Sequence, residues 1–223
     1  IYLRENVSFG TSGTGSPPSS VTITAGNQID AGGFRLATAG GALTLSAAAV
    51  VAPGVVDLAG GTLTINLSSP DGSLIQGSPL HTASLVKEGP GRLAFSASNL
   101  LLSGGPNGSD LTVNGGTVDL NATTQSIGRL LGTGSVALAG GSLSVNVPAG
   151  PLATFGGRIA GAGTLSKSGA GRLLLSGADS VLGGTTIDAG TLEISGANGA
   201  TGATQINGGT LKVSGAGSLG AGS

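Results

Sequence analysis

One short phrase recurs along this chain, and internal repetition of this kind limits the fold more than any other feature. It runs from a small or polar residue through Gly to Thr, Ser or Ala, and ends apolar, any, apolar. It reads Ala39-Gly-Gly-Ala-Leu-Thr-Leu45, Ala59-Gly-Gly-Thr-Leu-Thr-Ile65 and Asn114-Gly-Gly-Thr-Val-Asp-Leu120. It returns as Ala139-Gly-Gly-Ser-Leu-Ser-Val145, Asp188-Ala-Gly-Thr-Leu-Glu-Ile194 and Asn207-Gly-Gly-Thr-Leu-Lys-Val213. A Gly-x-Gly-Arg-Leu variant stands at Gly89–Leu93 and Gly169–Leu173. Neighbouring phrases stand one solenoid-sized unit apart, the length of a single supersecondary element.

A longer repeat lies over the first. Leu85-Val-Lys-Glu-Gly-Pro-Gly-Arg-Leu-Ala-Phe-Ser96 matches Leu165-Ser-Lys-Ser-Gly-Ala-Gly-Arg-Leu-Leu-Leu-Ser176 at an offset of 80. Leu111–Val118 then matches Thr185–Leu192 at an offset of 74. The difference places an insertion around Ser103–Ser109, where Gly, Pro, Asn and Ser suit a surface crossing.

Each phrase ends in strict alternation. In Thr191-Leu-Glu-Ile-Ser195, Leu192 and Ile194 point one way and Glu193 the other, the pattern of a strand with one buried face. The Gly residues supply corners, because Gly accepts positive φ without steric cost. Helix is disfavoured: Gly costs about 1 kcal/mol per residue against Ala, and no segment shows helical periodicity. An antiparallel β-sandwich is the rival, with Asn-Gly turns joining paired strands. The uniform recurrence of one phrase favours an all-β, right-handed parallel β-helix (β-solenoid) of about nine to eleven rungs.

The expected buried column is Leu43, Leu45, Leu63, Ile65, Leu93, Phe95, Val118, Leu120, Leu143, Val145, Leu173, Leu175, Leu192, Ile194, Leu211 and Val213. Glu193 and Lys212 hold the same place in consecutive phrases, which predicts an exposed pair on adjacent rungs. The domain reading is a cap or junction segment over 1–20 and one solenoid over 21–223, with clear repeats at 85–122 and 165–215.

Composition bounds the chemistry. With 9 Lys plus Arg against 10 Asp plus Glu, the chain lacks the charge of a nucleic-acid binder. No Cys is available for disulfides or thiolate metal sites, and one His supports no histidine metal centre. Gly reaches 45 of 223 residues, yet 39% of residues are hydrophobic, which argues for a packed fold rather than a disordered linker.

Leu165-Ser-Lys-Ser-Gly-Ala-Gly-Arg-Leu-Leu-Leu-Ser-Gly-Ala-Asp179, followed by Gly184-Thr-Thr-Ile-Asp-Ala-Gly-Thr-Leu-Glu-Ile194, resembles the autotransporter-associated β-strand repeat. That repeat reads Leu-x-Lys-x-Gly-x-Gly-x-Leu-x-Leu-x-Gly-x-Asn, then Gly-Gly-Thr-x-Val-x-x-Gly-x-Leu. Asp179 stands where the family often has Asn, and Asn99 holds that place in the copy at 85–120. The resemblance covers 85–223, and the part of the chain before it shares only the short phrase. It implies a bacterial cell-surface or secreted passenger that crosses the outer membrane through a C-terminal β-barrel translocator. Such a barrel's alternating strands and aromatic girdles are not part of this sequence. The sequence starts without Met and stops within repeat-like residues, so it reads as a segment of a longer passenger or as a subunit with open ends.

No constellation carries catalysis. His81 is expected in a turn-like insertion, as a solvated loop residue. The acids Asp30, Asp57, Asp71, Asp110, Asp119, Asp179, Asp188, Glu5, Glu88 and Glu193 do not cluster in sequence. Asp30, Asp57 and Asp188 precede Gly corners, where Asp caps turns, and Asn114 and Asn207 hold the same place. The Gly-Gly phrase lacks the Gly-x-Asp of calcium-binding β-rolls, and no Gly-x-Gly string opens a helix to cradle phosphate. Arg92, Arg172, Lys87 and Lys167 are expected on a solvated outer face. Catalytic, cofactor and metal residues are therefore assigned as none.

The favoured function is a rigid, non-enzymatic structural or adhesive rod. A surface or matrix ligand would be recognised through 11–20, 68–82 or 99–110. Copies of the chain could also join through their ends into filaments, with residues 1–9 as cap or joint. The alternatives are a polysaccharide-degrading β-helix enzyme with paired carboxylates, or an inert stalk for an activity elsewhere in a longer protein.

Overall fold

Alternating residues form strands that turn their apolar members to one side. Ala42–Ala47 buries Leu43, Leu45 and Ala47, and Ser142–Asn146 buries Leu143 and Val145. The computed structural model describes residues 1, 2, 5, 7–9, 20–51, 53–101, 108–178, 180, 181 and 183–217. Among them every strand pairing is parallel and there is no helix.

The strands fall on three faces that the chain visits in fixed cyclic order. The first face is a ten-stranded sheet running from Ser20–Thr24 to Thr210–Val213. The second begins with Gln28–Asp30 and Ala49–Val51 and continues as six strands from Ser73–Gln76 to Ser180–Val181. The third runs through Leu36–Thr38, Val56–Asp57 and Leu80–His81, then from Thr124–Ile127 to Thr204–Ile206. Ten strands on the first face enclose nine turns, a β-solenoid about 43 Å long at the usual strand spacing.

Register fixes the turn length. Val21 pairs with Leu43, Leu43 with Leu63, Leu63 with Leu85 and Leu85 with Leu111. Leu173, Leu192 and Leu211 continue the series at equal, shorter steps. The step from Leu85 to Leu111 is the long one and carries the expected insertion, of which 103–107 lie outside the described residues.

The expected single column is corrected to three. Leu43, Leu63, Leu173 and Leu192 line the first face, Leu93 and Val118 the second, and Leu143 the third. Each sheet sends its own apolar row to a shared core. Leu211 is only half-buried and Val213 is 43% exposed, because no further described turn covers them. The two long repeat copies are also out of phase. Residues 85–96 run from the first face to the second, whereas 165–176 run from the third to the first. The offset between the copies is therefore not a whole number of turns, and the repeat encodes a strand–corner–strand unit usable at more than one edge.

One phrase also hides two corner geometries. In Ala59-Gly60-Gly61, φ is positive at Ala59 (48°) and Gly60 (92°), and Gly61 is needed for close approach, since a Cβ there would lie 2.2 Å from the Gly41 oxygen. In Asn114-Gly115-Gly116 the positive φ falls on Gly116 instead.

The N-terminal residues extend the ladder. The Ile1 ammonium donates to the Gln28 carbonyl at 3.0 Å, Tyr2 bridges Asp30, and Val7–Phe9 pairs with Leu36–Thr38.

Candidate functional site: corner lysines and charged flanks

Lys87 and Lys167 are not on a solvated face. Both are fully buried, on the core side of Ser84–Glu88 and Thr164–Ser168. The cause is alternation: Lys87 follows Leu85 by one strand period, and Lys167 follows Leu165 in the same way. Lys87 stands in register between Ile65 and Val113, and Lys167 between Val145 and Ile187, so each stem replaces an aliphatic side chain in a core row.

The ammonium groups end at the corners. Lys87 Nζ donates to the carbonyls of Glu88 (2.5 Å), Gly89 (2.8 Å) and Gly115 (3.4 Å). Lys167 Nζ donates to those of Ser168 (2.5 Å), Gly169 (2.9 Å) and Ala189 (3.2 Å). Three donors meet three carbonyls in both copies. Burial pushes Lys87 down to about 8, with the Glu88 charge opposing, and lowers Lys167 as well. Sequence reasoning missed this role. The period-two pattern points both lysines inward, against the outward place that their charge suggests.

The arginines are outside as expected, yet they form ion pairs rather than a basic stripe. Arg92 Nε and Nη2 lie 3.0 and 2.6 Å from Asp119 Oδ2, one turn on. Arg172 pairs with Glu193 at the equivalent place in the later copy. Arg129 holds Asp110 at 2.6 Å and Arg35 holds Asp57 at 2.6 Å. Glu193 and Lys212 are register partners with a 3.2 Å ion pair, but Glu193 is buried, contrary to expectation. Arg172, Lys212 and the Ser214 hydroxyl together cover its carboxylate.

His81 is corrected from loop to strand. It lies in Leu80–His81 directly opposite Asp57 and is half-buried. Burial raises the Asp57 carboxyl, but the Ala59 amide and the Arg35 and His81 groups outweigh it and hold it below its usual value. Segment 68–82 is likewise built into the second and third faces, through Ser73–Gln76 and Leu80–His81, and is no insertion. Segment 11–20 lies outside the described residues except for Ser20, and Asp179 also lies outside them.

The turn-capping expectation divides. Asp30 accepts from the Gly32 amide at 2.9 Å and Asp57 from the Ala59 amide at 3.2 Å. Asp188 instead spans turns, accepting from Asn207 Nδ2 at 2.8 Å and the Ser166 hydroxyl at 3.0 Å. Asn114 donates across turns to Glu88 at 2.7 Å. Gln125 was not foreseen. Its buried amide accepts from the Leu100 amide and donates to the Ala97 carbonyl, which ties down the turn next to the insertion.

No pocket opens among the described residues, and they bring together no group of three or more His, Cys, Asp or Glu that could hold a metal ion. Three segments match the family model of the passenger-associated-transport-repeat: residues 85–120, 165–194 and 190–213. The chain carries passenger-associated-transport-repeats. No curated protein and no solved structure matches the chain. The repeats bracket both corner lysines and both Arg–acid pairs of the flanks, Arg92–Asp119 and Arg172–Glu193. Repeat and solenoid together fit an autotransporter passenger.

Proposed function

We propose that this chain is a stiff, non-enzymatic passenger segment of a bacterial surface or secreted protein, exported through an outer-membrane β-barrel translocator. Residues 1–20 act as cap or junction, and 21–223 form the rod. The observation that carries this reading is the coincidence of passenger-associated repeats with an unbroken parallel ladder of nine turns. A ladder of this kind adds turns one at a time, each docking on the last. Its ion-paired acids support a structural role, because Asp57, Asp110, Asp119 and Glu193 are each committed to a neighbouring cation.

The test is a fusion of the whole chain to an outer-membrane barrel in a Gram-negative host. Protease applied to intact cells should release the chain, and electron microscopy of the released material should show rods about 43 Å long. Filaments growing with concentration would add end-to-end self-association, and binding to whole cells or matrix would add adhesion. Retention inside the outer membrane, or turnover of polysaccharides by the purified chain, would overturn the reading.

A further inference from the structure

Lys87 and Lys167 hold the same place in the two long repeat copies, at corners on different edges of the solenoid, and repeat one arrangement. In each, two of the three accepting carbonyls belong to the lysine's own corner, Glu88 and Gly89 or Ser168 and Gly169. The third belongs to the next turn, Gly115 or Ala189. The next turn also closes the lysine in, since Val113 and Ile187 are its register partners there. Without that turn the stem and one donor of each ammonium face water. With it, the side chain is fully buried and all three donors are engaged.

We propose that Lys87 and Lys167 are latches, each fastening its turn to the following one across a corner, so that each turn pair opens as a unit that exposes its own lysine. The device is directional. Each lysine reaches towards the C-terminal neighbour, and neither donates to the preceding turn. It is also local. The core rows continue past each latch with Ile or Val, at Ile65 and Val113 and at Val145 and Ile187, so those neighbouring places in the rows stack by apolar contact, without a buried ammonium. Two latches thus create two stiffened joints in a rod whose other joints depend on nearest-neighbour packing. This inference stands on the corner geometry and does not require the export route proposed above.

The chain has three lysines, so amine acetylation of the whole protein, followed site by site by mass spectrometry, reads the latches directly. Lys212 is about half exposed and should react at the rate of a free amine, while Lys87 and Lys167 should lag by about a hundredfold or more, the mark of reaction through local opening. Gly116 and Gly190 sit in the turn each lysine grips. A Cβ at Gly116 would lie 2.2 Å from the Gly91 oxygen, and one at Gly190 would lie 2.3 Å from the Gly171 oxygen, both at positive φ. Gly116→Ala should therefore speed acetylation of Lys87 about tenfold or more and leave Lys167 unchanged, and Gly190→Ala should do the reverse. Equal reactivity of all three lysines, or the same response of Lys87 and Lys167 to either substitution, would overturn the proposal. Should a Gly variant not fold, Lys87→Met provides the second reading, since Ile65 and Val113 show that an aliphatic side chain suits that row. Hydrogen exchange should then accelerate about tenfold at 114–117 and stay unchanged at 191–194. Unchanged exchange at 114–117, or acceleration along the whole rod, would equally refute the latch.

Discussion

Glu193 and Lys212 face each other across adjacent turns at 3.2 Å, yet the carboxylate is buried and the ammonium is half exposed. The asymmetry arises because Glu193 has neighbours on both sides: Arg172 reaches it from the turn before, and Lys212 and Ser214 from the turn after. A buried carboxylate with charged partners contributes more than an exposed pair. Glu193→Ala should lower unfolding stability by about 1–3 kcal/mol. Asp57→Asn, in a pair open to solvent on both sides though only partly exposed at Asp57, should change it by less than about 1 kcal/mol. Urea titration followed by circular dichroism compares the two. Equal, small effects would show that burial of Glu193 carries no energetic weight.

Burial of Lys87 sets a pH dependence with a definite sign. Its value falls from the ordinary 10.5 to about 8 in the folded chain, and Lys167 is shifted the same way. Between those values the unfolded chain binds more protons than the folded one, so stability rises with pH. The contribution is fully present above about 10.5 and is lost as pH falls through about 8. Urea midpoints measured from about pH 7.5 to about pH 10.5 should climb, and Lys87→Met should flatten the climb. A midpoint that falls over this range would contradict the assignment.

The sequence made the strands and their parallel stacking legible, because period-two alternation and Gly corners are local signals. Leu43, Leu63, Leu173 and Leu192 all turn inward as expected. What it left hidden is relational. Which face a phrase occupies depends on the residues counted since the last corner, so the phrase alone does not separate Leu93 and Leu143 from a row they do not join. For Lys87 and Lys167, charge argues for the outside and alternation for the inside, and alternation prevails. The three carbonyls that permit burial come partly from the next turn, at Gly115 and Ala189, and no local pattern announces them. The burial of Glu193 has the same origin, since Arg172 and Lys212 come from different turns.

Ala139 adopts a φ of 47°, a left-handed conformation that costs an L-residue roughly 1–2 kcal/mol. It is exposed, so no packing is lost when its methyl is removed. Ala139→Gly should relieve the strain against a smaller entropic cost, for a net gain of about 0.5–1 kcal/mol. Differential scanning calorimetry of the two chains checks this. A loss of stability would mean that the Ala139 methyl makes a contact worth more than the strain.

Position along the rod should govern the cost of an identical core change. Leu173 is fully buried between Ala153 of one turn and Leu192 of the next. Leu211 holds the same register place on the last described strand and is half-buried. In a stack where each turn contacts its neighbours, an interior truncation weakens two interfaces and a terminal one mainly a single interface. Leu173→Ala should therefore cost about 2–5 kcal/mol, since the cavity is walled on both sides. Leu211→Ala should cost under about 1.5 kcal/mol, in line with its partial burial. Hydrogen exchange should show faster opening across 153–194 in the first variant and only across 204–213 in the second. Equal losses in both would mean that Leu211 is packed as deeply as Leu173, and that stability is not divided turn by turn.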